Sequence, residues 1–204
     1  MKKVIVLLIL IIAGAALYFY FKKGKSGPKA PKQEAIMLKK HTNAFNASID
    51  KVVTDYLALK DALVEDDTAT AKASARNLMA ALDSVHLDEL KKDTALIFET
   101  AQGNMMDIKA NVQSLLAQPN ITEMRKDFSA VTDMMYPSFF TSINYEGEKL
   151  YLQNCPMAFG DDAPANWLSD KTEIVNPYLG KKHPTYKATM LHCGEVKDSI
   201  YAKK

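Results

Sequence analysis

FNASIDKVVTDYLALKDAL, residues 45–63, sets Phe45, Ile49, Val52, Val53, Tyr56, Leu57, Leu59 and Leu63 at three- and four-residue spacing. That period is the mark of an amphipathic helix with one apolar stripe. The helix extends over about 34–65. Asp66-Asp67-Thr68 interrupts it and supplies caps for a second helix over about 68–82, with Ala71, Ala75, Leu78, Met79 and Leu82 on one face. A long helix follows over about 88–117, weakened at Gly103 and ended by Gln118-Pro119-Asn120. Asn120 with Glu123 makes a capping box that opens a fourth helix to about 140. Pro137 is expected to kink or end it. Four amphipathic segments on short loops predict an all-α antiparallel four-helix bundle over 34–145. Met79, Met105, Met106, Met124, Met134 and Met135 sit at helical spacing and read as core packing.

Outward from the bundle the texture changes on both sides. Residues 146–204 are rich in turns and aromatics and read as an irregular, loop-rich cap. Leu150-Tyr151-Leu152 forms a short extended piece and Glu195–Tyr201 a closing helix. On the other side, residues 22–33, KKGKSGPKAPKQ, form a flexible basic linker. Before it, Val4–Phe21 is unbroken apolar sequence between Lys2-Lys3 and Lys22-Lys23. Its 18 residues approach the length that spans a bilayer. Residues 1–21 therefore read as an N-terminal membrane helix acting as a signal-anchor. Ala13-Gly14-Ala15 offers the alternative of a cleaved export signal.

The chain has 204 residues and a net charge of +2. With the leader set aside, about 180 residues remain, enough for one domain with a sizeable core. Neither the charge nor any motif points to nucleic acid. No CxxC, CxxCH, P-loop, GxSxG or HExxH pattern occurs, and no acid/base or nucleophile constellation is present. The expectation is a non-enzymatic protein.

The chemistry that remains lies in two cysteine clusters, Cys155-Pro156-Met157 and Met190-Leu191-His192-Cys193. Thiolate, thioether and imidazole suit a soft ion such as Cu(I) or Ag(I). Cys155 and Cys193 are the primary ligands of that reading, with Met157, Met190 and His192 as candidates. Zn with two cysteines and His192 lacks an evident fourth ligand. The rival reading is a Cys155–Cys193 disulfide. It would close a loop of about 39 residues and stabilise the cap by roughly 4 kcal/mol on the chain-entropy model. The two exclude one another in one molecule at one time, although they could be alternate redox states. Trp167 and Tyr178 read as residues packing the cap on the bundle. Asp161-Asp162 reads as a solvated loop, and His41, His86 and His183 as surface residues. Asn176-Pro177 and Gly180 read as turn chemistry that touches no ligand.

The text YLALKDAL at 56–63, the Arg125–Phe128 segment, Tyr151, Cys155-Pro156-Met157-Ala158, Trp167-Leu168-Ser169, Ile174, Asn176-Pro177-Tyr178, Gly180, Met190 and Cys193-Gly194 resemble, in order and spacing, an uncharacterised bacterial domain. That domain occurs alone behind an export signal, or appended to periplasmic adaptor subunits of heavy-metal RND efflux systems. The resemblance covers about 53–200. Here Lys181–Thr189 extends the link between the Asn-Pro-Tyr segment and Met190. The resemblance implies a body in the periplasm, anchored to the inner membrane, and an association with copper- or silver-type efflux components. The lysines after residue 21, read by the positive-inside rule, argue for the opposite orientation.

Overall fold

The computed structural model describes residues 40–201. The expected membrane helix and the basic linker lie outside these residues. Four long helices come first: α1 Asn43–Val64, α2 Thr68–Ser84, α3 Ala95–Ala117 and α4 Ile121–Met134. Each begins at a side-chain cap, of which those at Asp67 and Asn120 are the expected ones. Thr42, Asp67, Thr94 and Asn120 accept from the backbone N–H three residues on. Residues 88–94 do not belong to the third helix: Leu87–Lys92 winds as a 3-10 turn, and Thr94 caps α3 anew. Gly103 does not interrupt α3. Near Pro137, α4 gives way to a π-type turn at Met135–Phe139, where Tyr136 is extended, and then to a helical turn at Phe140–Ser142.

Short connections set consecutive helices side by side, α1 on α2, α2 on α3 and α3 on α4. Tyr56 closes the bundle. Its ring stacks on Phe128 of α4 at 5.1 Å, and its hydroxyl lies 2.6 Å from the Thr132 hydroxyl. Met105, Met124 and Met135 are buried among the helices and Met79 and Met134 partly so, whereas Met106, expected in the core, is exposed.

The C-terminal part corrects the all-α expectation. It contains a three-stranded antiparallel sheet of β1 Leu150–Cys155, β2 Ala165–Ser169 and β3 Glu195–Ile200, ordered β2-β1-β3. The segment expected to close the chain as a helix is β3. Its six residues are too few to display a period, and they become a strand by pairing with β1, 40 to 50 positions earlier. His41 corrects another expectation. It is buried, and its Nε2–H donates to the Ile143 carbonyl.

Two devices fasten the sheet to the bundle. Leu168 of β2 donates its N–H to the Tyr56 hydroxyl at 3.0 Å. Arg125 of α4 donates to the carbonyls of Pro177 (2.7 Å) and Leu63 (2.8 Å) and pairs with Asp66 at 2.8 Å. Gly180 passes beside this pair with φ +55°, where a Cβ would collide with both the guanidinium and the Asp66 carboxylate.

Candidate metal centre

The sheet explains why the two cysteine clusters meet. Cys155 ends β1, and Cys193 precedes β3 by two residues. Antiparallel pairing sets Asn154 opposite Glu195, so the next residues in each direction, Cys155 and Gly194 with Cys193, come together. Gly194 makes the approach possible. Its φ is +142°, and an added Cβ would stand 2.7 Å from the Asn154 carbonyl and 2.9 Å from the Trp167 ring. The thiols are free and their sulfurs are 3.3 Å apart.

That separation is wider than a disulfide, about 2.05 Å. It is narrower than the roughly 3.8 Å between two thiolates on one tetrahedral ion with 2.3 Å metal–sulfur bonds. Less than 1 Å of sulfur movement produces the second arrangement. Cys155 is fully buried and Cys193 partly exposed, so the pair has one closed side and one accessible side.

The neighbouring candidates divide. Met157 follows Cys155 by two residues, in the turn that leaves β1. Met190 opens the turn that Cys193 closes by donating its N–H to the Met190 carbonyl at 3.0 Å. Both methionines are half-buried against the core, so four sulfur-bearing residues belong to two adjoining turns. His192 is exposed and donates Nδ1–H to the Ile174 carbonyl at 2.6 Å. Among the described residues, no three His, Cys, Asp or Glu side chains form a metal-binding group, so His192 does not join the two thiols in one. A zinc site built from those residue types has no ligand set here. Thiolates supplemented by thioethers suit a soft monovalent ion.

Asn176 shapes the loop through its side chain. Fully buried, it donates from Nδ2 to the Cys193 carbonyl at 2.8 Å and accepts through Oδ1 from the N–H groups of Tyr178 and Leu179. It thus fixes the backbone that carries the second thiol. Trp167 and Tyr178 are buried at the junction of sheet and bundle. Trp167 lies edge-on to Tyr178 at 5.9 Å, and Tyr178 contacts Phe128 at 6.0 Å. Trp167 Nε1 is buried without a hydrogen-bond partner among the described residues.

Burial, and then the adjacent Cys155 thiol, push the Cys193 thiol up to about 11 from its ordinary value near 9. Between those values the folded chain retains a proton that a free thiol has lost. Alkylation of Cys193 should therefore accelerate with pH up to about 11 instead of levelling near 9. Timed iodoacetamide labelling with mass detection checks this. An ion bound through this thiol would have to displace that proton, so its affinity would climb with pH up to about 11.

No curated protein and no solved structure matches this chain. Residues 52–145 match the model of a family described as a protein of unknown function (DUF3347). The match spans most of α1, all of α2 to α4 and the turns that follow, and it ends before β1 and both cysteines.

Proposed function

We propose that this is a non-enzymatic protein of the bacterial cell envelope that binds one soft metal ion, Cu(I) or Ag(I), through Cys155 and Cys193, with Met157 and Met190 as softer partners. The observation that carries this reading is the 3.3 Å contact between two free thiols whose flanking turns each carry a methionine. A buried thiol beside a partly exposed one gives an ion an entry side and a dry side. The helical body holds the clasp and presents it, tethered by the N-terminal segment, to heavy-metal efflux components. The periplasmic placement and the efflux association rest on the family resemblance. The soft-ion preference rests on the ligand chemistry.

The same contact favours a second reading. In an oxidising compartment the two sulfurs are close enough to join as a staple across β1 and the approach to β3. The body would then be a structural or protein-interaction module without metal. Anaerobic titration of the reduced protein with Cu(I), against a chromogenic chelator, separates the two. Metal binding predicts uptake of one ion per chain, lost after oxidation of the thiols. No uptake by the reduced protein would remove the metal reading and leave the staple.

A further inference from the structure

A cleft of about 410 Å³ lies between the start of α4, the turn after β1 and the 183–186 stretch. The volume is in the range of small-molecule sites. The far wall comes from Lys181–Thr189, the stretch marked in the sequence as an extension. The geometry points to this cleft as a binding site for a small organic anion with an aromatic or apolar body, its anionic group held by Arg125, Lys126 and His183 and its body by Met157, Phe159 and Tyr186. The inference does not rest on the metal reading.

The charged side chains lining the cleft are of one sign. Among the described residues that line the cleft, Arg125 and Lys126 are cationic and none is acidic. Arg125 is only 3% exposed. Its Nε and Nη2 donors are used on Pro177, Leu63 and Asp66, and Nη1 has no partner among the described residues. A buried guanidinium with a spare pair of donors at a cleft wall suits a carboxylate, sulfonate or phosphate oxygen. Lys126 is paired with Glu123 at 2.9 Å, and its ammonium has three donors to share. His183 Nδ1 accepts from the N–H groups of Thr185 and Tyr186, which puts its proton on Nε2 as a further donor. Burial, with the Arg125 charge adding to it, holds this imidazole below its ordinary value. It therefore donates without adding positive charge at pH 7.

The apolar side is equally defined. The His183 and Tyr186 rings stack on one another at 4.9 Å, which holds both in the wall of the cleft. Phe159, exposed at 37%, stands at the rim with its edge to Tyr178 at 5.3 Å. A flat aromatic body would bury this rim residue and offset the exposure of a large apolar side chain.

Equilibrium dialysis of the metal-free full chain with 2-naphthoate and with neutral 2-naphthamide tests the assignment. Saturable binding of one naphthoate is expected, with the amide weaker by about tenfold, the loss typical of a hydrogen bond to a charged group. Lys126→Gln should reduce that preference several-fold, and Phe159→Ala should weaken both ligands by about tenfold through lost apolar contact. Lys126 and Phe159 are chosen because Arg125 also fastens the sheet to the bundle. Equal binding of naphthoate and naphthamide, absence of saturable binding, or identical behaviour of both variants and the wild type would each overturn the inference.

Discussion

Arg125→Ala is expected to lower the unfolding free energy by about 3–5 kcal/mol, the range found when one partner of a buried ion pair is removed. The guanidinium joins three parts of the chain: the end of α1 through the Leu63 carbonyl, the loop after it through Asp66, and the C-terminal module through the Pro177 carbonyl. Both charged side chains are nearly inaccessible, at 4% and 10% exposure. Truncation leaves the Asp66 carboxylate buried without its cation and the Pro177 carbonyl without its donor, while the Leu63 carbonyl keeps only the long bond from the Asp66 N–H at 3.3 Å. Asp66 cannot easily turn away, since it holds a left-handed φ of +56° and also accepts from the Lys182 N–H at 2.7 Å. Arg125→Lys should recover less than half of the loss, because one ammonium cannot reproduce the fork that reaches Leu63, Pro177 and Asp66. Urea unfolding followed by far-UV circular dichroism gives the numbers. A loss below about 1 kcal/mol would place this network in the class of exposed ion pairs and refute its fastening role.

Cys155→Ser is expected to weaken Cu(I) binding by about 100-fold or more. Loss of a group that only orients a ligand commonly costs 10- to 100-fold, and Cys155 is proposed as a ligand itself. Serine offers a hard hydroxyl where a soft thiolate stood. The site is closed on that side, so no water replaces the sulfur. Met157→Leu and Met190→Leu should cost less, because a thioether brings no charge to the ion. The disulfide reading makes the opposite forecast. There Cys155→Ser would leave metal uptake unchanged at zero and would lower the stability of the oxidised protein by about 2–4 kcal/mol.

The bundle was legible because its signals are local. The 3.6-residue period of 45–63 gave α1, and the Asn120–Glu123 pair gave the start of α4 to the residue. The break at Asp93-Thr94 was missed, although threonine before an apolar run is a cap signal. The sheet was not legible in the same way. LYLQNC and EVKDSI are six residues each, and the second is charged enough to pass for a helix. Only pairing across more than 40 positions makes it a strand. The cysteine pair shared that fate. Its residues stood out by type, but their meeting depends on the β1–β3 register and on Gly194. Arg125 had an unused signal. It stands on the buried stripe of α4 with Met124, Phe128, Val131 and Thr132, where a cation needs acceptors from elsewhere. His41 showed no such pattern, and its burial follows from packing against Ile143, 102 positions later.

X-ray absorption at the edge of copper bound to the reduced protein reports the atoms around the ion. A first shell of sulfur alone is expected, two thiolates with one or two longer thioether contacts. A shell dominated by nitrogen or oxygen would contradict it, and so would a sulfur shell that survives replacement of both Cys155 and Cys193.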